Sequence, residues 1–376
     1  VIGRVGLKLN NFSMRNLFKK EAWRPIPAGD GQKLSFRIQT YGTTYINYGV
    51  SFTEPWLGGK KPNALTVSVF HSKYKNTYTD PAGVFMQTGM SVGIGTRLKW
   101  PDDYFTLYNG INLIRYTLFN YQNIFDFGTG NGDFNLIGYN ITFGRNSTSN
   151  PIYPRYGSEF ILSLEVTPPY SIFNPVDYEK EYSDVAERED AMYHWVEFHK
   201  WKFKAVMYTE VAEKLVVMTR ARFGLLGYYN PDIGITPFQR FCLGGDGLTG
   251  SYNFDGRELI GMRGYANNSL TPGYVTGNME GGNIFAKYTM ELRYPLTLNP
   301  SATIYALTFV EAGNCWLGFD KFNPFDLYRS AGLGMRIYLP MFGMLGLDWG
   351  YGFDEVPGAP DANGSQFHFS IGGSID

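Results

Sequence analysis

The sequence contains little cysteine, few charged residues and no long apolar run. Cysteine accounts for two of its 376 residues, and charged residues for 18%. Two cysteines, Cys242 and Cys315, are too few for a disulfide framework, and their spacing does not tell whether they pair with each other. No run of about eighteen apolar residues occurs, which excludes a membrane-spanning helix. The formal net charge of −1 gives no reason to expect a nucleic-acid partner.

Glycine and aromatic residues, in contrast, are abundant. The chain has 45 glycines, 28 tyrosines and 29 phenylalanines. This composition suits a β-rich protein with belts of aromatic side chains. The N-terminus shows no basic segment followed by an apolar one, so we expect the chain to begin after any targeting segment.

Most of the chain repeats one pattern, in which about ten residues alternate between apolar and polar side chains before a turn or loop. This alternation predicts an all-β fold, a transmembrane antiparallel β-barrel formed as one domain by residues 1–376. A closed barrel of this kind has an even number of strands, so we expect one more strand before Val1. The fifteen alternating segments are residues 5–9, 34–38, 46–53, 65–69, 90–100, 104–119, 137–144, 160–167, 196–209, 215–229, 284–295, 302–316, 331–339, 345–353 and 366–375.

Two soluble architectures are alternatives to a membrane barrel. A β-sandwich would not easily house fifteen strands, and a propeller would show a repeat of about forty residues, which the sequence lacks. Trp100, Trp316, Trp349 and Tyr351 lie near the ends of predicted strands, as in the aromatic girdles of membrane barrels. The pattern therefore favours a barrel in lipid.

Two segments interrupt the alternation. Residues 174–193 have mixed charge and include a helix-compatible stretch at 185–192, so we expect an external loop that is partly helical. Residues 230–282 join two predicted strands and are rich in glycine and aromatic residues. A loop of this length is usually functional or disordered, and its composition is unlike that of a disordered linker. We therefore predict that it is packed.

Four short motifs give the chain a family resemblance. They are Met262-Arg263-Gly264-Tyr265 behind the pair Gly244-Gly245, Tyr153-Pro154-Arg155-Tyr156-Gly157-Ser158, Phe309-Val310-Glu311-Ala312-Gly313-Asn314-Cys315-Trp316, and Phe367-His368-Phe369-Ser370-Ile371-Gly372. In these motifs the chain resembles the BamA family of outer-membrane β-barrel assembly proteins, within the wider outer-membrane insertase superfamily. The interval that includes residues 251–258 is longer than is usual there, Glu311 stands where the family has Asp, and the chain ends in Ile375-Asp376 rather than in an aromatic residue.

The resemblance implies a barrel of sixteen strands in which residues 230–282 are the sixth extracellular loop, here called loop six. Strand one and the periplasmic repeat (POTRA) domains of the family would precede this chain. The resemblance implies that Arg263 folds into the barrel lumen and pairs with two acidic residues there, which holds loop six against the inner wall. Alternation places Glu291 on the lumen face, and Glu311 matches the family's acidic partner. Gly264 would let the backbone approach the wall closely, and Tyr265 would pack against it.

The resemblance also implies a function at a lateral seam between the first and last strands, residues 366–375 being the last. The seam residues would be Phe367, Phe369, Ile371, Gly372 and Gly373. An insertase of this kind folds nascent outer-membrane β-barrel clients into the lipid bilayer, with accessory lipoproteins and periplasmic chaperones as partners. A secretion channel of the same superfamily and a passive porin-like channel are the alternatives.

No constellation of catalytic or metal-binding residues stands out in the sequence. The spacing of His194 and His199 is only a weak metal signal, and the acids of residues 177–190 lack the spacing of a calcium loop. No nucleophile elbow is present. We therefore expect no enzyme activity, no metal and no cofactor.

Overall fold

A computed structural model describes residues 2–23, 25–59, 61–77, 81–121, 130–173, 185–247, 256–277, 280–299, 301–340 and 343–371. The chain forms two compact units. Unit 1 comprises Val1–Phe143, Leu164–His199 and Tyr228–Thr236, and unit 2 comprises Gly144–Ser163, Lys200–Gly227 and Pro237–Asp376.

Unit 1 is an antiparallel meander in which consecutive strands pair. Val5 lies opposite Ile38, and Val50 lies opposite Val69, so apolar side chains meet on one face of the sheet. Two helices follow in the same unit. The elements are β1 (Ile2–Phe12), β2 (Gln32–Tyr41), β3 (Tyr45–Glu54), β4 (Asn63–Asn76), β5 (Gly83–Arg97), β6 (Phe105–Phe119), β7 (Gly132–Asn146), α1 (Tyr170–Phe173) and α2 (Val185–Tyr193).

Unit 2 contains the remaining strands and most of loop six. Its long strands are antiparallel, and a short parallel pair, β11 and β12, lies within loop six. The elements are β8 (Gly157–Val166), β9 (His199–Ala212), β10 (Leu215–Gly227), β11 (Phe241–Leu243), β12 (Glu258–Ile260), β13 (Ile284–Asn299), β14 (Ala302–Trp316), β15 (Tyr328–Leu339), β16 (Gly343–Gly352) and β17 (Gly364–Ile371). Three strands cross the unit boundaries: the last three residues of β7 belong to unit 2, and the last three residues of β8 and the first residue of β9 belong to unit 1.

The two faces of the unit 2 strands differ in the way that alternation predicts. On β13, Tyr288, Met290 and Leu292 are exposed, whereas Thr289 and Glu291 are buried. We call the exposed side the apolar face and the other the polar face. The core of unit 2 therefore lies on the polar face, where loop six and buried ionic side chains pack.

In the described part of the chain the fifteen long strands match the fifteen predicted segments, and the predicted helix at 185–192 is confirmed as α2. Boundaries differ in places. Trp100 lies beyond the end of β5 at Arg97, and Pro101 after it has no N–H with which to extend a strand ladder. The strand predicted from Val196 begins at His199. No helix among the described residues is long and apolar enough to cross a membrane.

Candidate functional site

Loop six folds back on itself before it reaches the polar face. Its strands β11 and β12 pair in parallel, and Gly245 and Met262 exchange two backbone hydrogen bonds of 3.1 and 2.8 Å. Gly245 has a φ of +74°, and a side chain there would collide with Asn267. The predicted glycine pair and the Met-Arg-Gly-Tyr motif therefore lie side by side. Residues 248–255 of the unusually long interval lie outside the described residues.

Arg263 is fully buried and binds three carboxylates. Its Nη2 lies 2.7 Å from Glu291 Oε1 and 2.7 Å from Glu311 Oε1, and its Nη1 lies 3.3 Å from Asp348 Oδ1. Its backbone N–H also donates to Glu311 Oε2 at 2.9 Å. The guanidinium plane lies over the ring of Phe309, with Cζ 3.6 Å from the ring centroid. A planar cation with five donors suits this arrangement in a way that lysine would not.

Each of the three carboxylates also has a cation supplied by a strand. These strand pairs are Arg293 with Glu291 at 2.7 Å, Lys287 with Glu311 at 3.0 Å, and Arg336 with Asp348 at 2.9 Å. We call these six residues together with Arg263 the ionic site. Burying charge is costly unless it is paired and hydrogen-bonded, and here every carboxylate meets two cations.

A run of glycines on β16 lets the loop backbone lie directly on the strand. The polar face of β16 carries Met344, Gly346, Asp348, Gly350 and Gly352 in alternate positions, so beyond Met344 at its start Asp348 is the one side chain larger than hydrogen. A Cβ on Gly350 would lie 2.7 Å from the backbone nitrogen of Gly264. Gly264 itself has a φ of +86°, a conformation that favours glycine. The close approach predicted for Gly264 is thus made possible from both sides.

Tyr265 completes the contact of the motif with the strands. Its ring is buried, its hydroxyl donates to the carbonyl of Arg329 at 2.8 Å, and its ring meets Tyr328 edge to face. Burial raises the pKa of the Tyr265 hydroxyl to about 12, so it stays a donor at any physiological pH. The neighbouring N–H of Gly264 donates to Nε2 of His368 at 3.0 Å, which connects loop six with the last strand.

A second ionic contact holds loop six at Glu258, and sequence reasoning did not identify it. Glu258 lies 3.0 Å from Lys202 and 3.3 Å from Arg222, with Lys200 at 3.8 Å. Burial alone would raise the pKa of Glu258, but the charges of Lys200 and Lys202 outweigh burial and lower it. Loop six therefore presents an anion to β9 and β10 and a cation to β13, β14 and β16.

The turn before β8 also reaches the polar face. Tyr153 donates its hydroxyl to the carbonyls of Lys214 at 2.9 Å and Arg293 at 3.1 Å, and its ring packs on Tyr305. With Val216, Leu307 and Phe309 these two tyrosines form a small apolar cluster. The cluster lies next to the ionic site, because it shares Phe309 with the guanidinium of Arg263. The tyrosine of the turn motif is therefore a packing residue.

The predicted seam residues occupy the end of the chain. Phe367 and Phe369 lie on the apolar face of β17, with 68% and 48% of their surface exposed, and pair with Trp349 and Leu347 of β16. Ile371 is the last described residue of that strand. Gly372 and Gly373 lie outside the described residues. The role of this strand as a seam stays a prediction.

Asp348, Lys287 and His368 are site residues that sequence reasoning missed or treated as structural. A signal for Asp348 was present, because it is the single charged residue on a strand face whose other residues are Met344 and three glycines. Lys287 and His368 carried no comparable signal. Within the described ranges no group of three His, Cys, Asp or Glu residues could hold a metal ion. The site is an electrostatic docking surface for loop six.

Comparisons with known proteins agree with this geometry. The model of the Omp85 superfamily domain matches residues 28–375. A search of curated proteins found no match. The structure of BamA from Haemophilus ducreyi lacking POTRA domains 1–3 is similar, with a TM-score of 0.65, 18% identity and coverage of 97% of this chain and 66% of that one.

Two structures of CdiB are also similar. The TM-score is 0.58 for CdiB from Escherichia coli, with 12% identity and coverage of 98% of this chain and 59% of that one. It is 0.54 for CdiB from Acinetobacter baumannii, with 11% identity and coverage of 98% and 56%. The chain thus spans 66% or less of the length of these proteins.

The family match covers most of the chain, and it confirms the resemblance and the all-β barrel class. The chain belongs to the Omp85 superfamily, and it is an integral β-barrel protein of the bacterial outer membrane.

Proposed function

We propose that this protein is an outer-membrane insertase, which folds β-barrel clients into the membrane at a seam beside its last strand. The observation that carries the proposal is the buried docking of Arg263 on β13, β14 and β16, together with the hydrogen bond of Gly264 to His368 on β17. Through these contacts loop six holds the strands next to the proposed seam in register.

The proposed mechanism uses strand pairing as its driving force. β17 pairs along one edge with β16. An edge strand with unpaired N–H and C=O groups can template an incoming strand by β-augmentation. The client would then fold by pairing its own strands and burying their apolar faces in lipid, which needs no nucleotide or cofactor. Loop six would keep β16 and β17 fixed while the client strand pairs.

Reconstitution tests this proposal. The full-length protein is placed in lipid vesicles, and the folding of an unrelated, unfolded outer-membrane barrel is followed by its heat-resistant gel mobility. We expect the protein to accelerate folding several-fold over empty vesicles, and Arg263→Ala to lose most of that acceleration. Arg115→Ala is the matched control, because Arg115 pairs with Asp133 at an exposed site. No acceleration by the wild type would overturn the proposal.

Export through the barrel is the second candidate, and it is kept because the similarity of fold extends to CdiB as well as BamA. Vesicles loaded with a protease distinguish the two functions. An insertase leaves the client in the bilayer with its lipid-embedded part protected, whereas a secretion channel delivers it to the far side. A passive porin-like channel would conduct ions steadily and would not accelerate folding.

The partners proposed for an insertase are the nascent clients, accessory outer-membrane lipoproteins and periplasmic chaperones. Of these, the clients follow from the proposed mechanism itself. The lipoproteins and chaperones rest on the resemblance alone. Affinity purification of the full-length protein from native outer membranes, with Arg263→Ala as a comparison, would show whether they bind and whether a docked loop six is needed.

A further inference from the structure

We propose that Cys242 and Cys315 are a redox pair that can form a disulfide bond between loop six and β14. They are the two cysteines of the chain, and they lie far apart in sequence. Both are buried in unit 2, and both are free thiols in this structure. Cys242 belongs to β11 of loop six, and Cys315 is the penultimate residue of β14.

Backbone geometry places the two thiols within reach of each other. Sγ of Cys315 lies 3.6 Å from the carbonyl oxygen of Phe241. That carbonyl belongs to the planar peptide group that ends at Cα of Cys242, about 3 Å further on. Sγ of Cys315 is therefore within about 7 Å of Cα of Cys242, a separation that rotation of both side chains and a small shift of β11 can close to disulfide geometry.

Gly282 creates the space in which Cys315 lies. Gly282 and Phe241 exchange backbone hydrogen bonds of 2.7 and 2.8 Å, so Gly282 aligns β11 with the start of β13. A Cβ on Gly282 would lie 2.2 Å from Sγ of Cys315. Because Gly282 has no side chain, the thiol can sit directly against the backbone that leads to Cys242.

The chemistry suits the location of the protein. Disulfides form and persist in the oxidising envelope of bacteria. Formation of the S–S bond releases two protons and two electrons from the two thiols. The electrons reduce the disulfide of a periplasmic thiol oxidoreductase to two thiols, through a mixed disulfide. Because both cysteines are buried once loop six has docked, we place this exchange before docking is complete.

The bond would tie the N-terminal part of loop six to the same strand that carries Glu311. Arg263 would then hold the loop by charge. The disulfide would hold it covalently at Cys242, just before the pair Gly244-Gly245. The bond is measured directly in the protein, without an activity assay. A negative result would therefore overturn this inference and leave the proposed function unaffected.

Thiol labelling tests the inference. The full-length protein is isolated from outer membranes, denatured without reductant and treated with N-ethylmaleimide, and after digestion the labels on the peptides that contain Cys242 and Cys315 are counted by mass spectrometry. We expect no label before reduction and two labels after it, whereas Cys242→Ser and Cys315→Ser should each take one label without reductant. One or two labels on the unreduced wild type would overturn the inference.

A second measurement tests the constraint on the loop. Limited proteolysis of the folded protein in lipid is compared with and without reductant. We expect reductant to raise the cleavage rate within loop six several-fold in the wild type and to have no effect on Cys242→Ser. Equal rates for the wild type in both conditions would show that the loop is not held by such a bond.

Discussion

The backbone N–H of Gly264 donates to Nε2 of His368 at a distance of 3.0 Å. This hydrogen bond joins the motif of loop six to the last strand of the sheet. Nε2 must carry a lone pair to accept it, so the proton of the neutral imidazole is on Nδ1. The position of loop six and the position of β17 therefore depend on each other.

Replacement of His368 by Leu should remove the link between the position of loop six and the position of β17. The buried N–H of Gly264 would lose its acceptor, at a cost of about 1–3 kcal/mol. We expect a marked fall in the rate at which client proteins fold in vesicles. The stability of the barrel itself to urea should change less. His368→Gln offers a carbonyl oxygen at similar reach and should restore much of the activity. Equal activity of the Leu variant and the wild type would contradict a role for this bond.

Arg263→Ala should destabilise the docked loop. Removing one member of a buried charge cluster costs about 3–5 kcal/mol, and we expect the lower end because each carboxylate keeps its strand cation. The free energy of unfolding in lipid measures the loss. Arg115→Ala should leave it nearly unchanged, because the pair of Arg115 with Asp133 is exposed to solvent. Arg263→Lys should not restore stability, since an ammonium cannot reach three carboxylates in one plane.

Gly350→Ala should lift loop six from β16 without unfolding the strand. The added Cβ would lie 2.7 Å from the nitrogen of Gly264 and 3.1 Å from its Cα, and backbone atoms cannot move aside as a flexible side chain does. Limited proteolysis should then cut loop six several-fold faster. The matched control is Gly95→Ala, where the nearest atom is the carbonyl oxygen of Ala64 at 4.0 Å. Similar cleavage of the two variants would argue against the glycine contact.

Acid should loosen loop six at Glu258. A carboxyl whose pKa is lowered in the folded state stabilises that state above its usual pKa, here 4.5, and loses this contribution as the pH falls through the lowered value. We expect proteolysis within loop six to accelerate as the pH drops below about 4.5. Glu258→Gln should be cleaved faster at neutral pH and lack this step, whereas Glu213→Gln, at a turn where the side chain is 90% exposed, should keep it.

Alternation of apolar and polar side chains was enough to predict the fifteen strands, because a strand that faces lipid on one side must repeat with period two. It was also enough to place Glu291 on the polar face. Alternation does not show which strands meet through a loop. For that reason the contact of Arg263 with Glu311 depended on the family resemblance.

Asp348 and Lys287 show where such reasoning ends. Asp348 contacts Arg263 only because the register of β15 and β16 sets Gly334 opposite it, which leaves room above the strand. Lys287 on β13 contacts Glu311 on the neighbouring strand β14, and both side chains lie on the polar face. Neither contact follows from the spacing of residues within one strand. Glu258 was missed for a related reason, since its partners lie on β9 and β10.

The pairing of every carboxylate with its own strand cation has a consequence for movement. If the segment of loop six around Arg263 withdrew, Glu291, Glu311 and Asp348 would still be neutralised by Arg293, Lys287 and Arg336. The wall would not be left with bare negative charge, and Arg263 would recover its hydration outside. Departure and return of this segment can therefore be reversible, with the barrel wall intact throughout and the loop still attached to β14 where Cys242 is bonded.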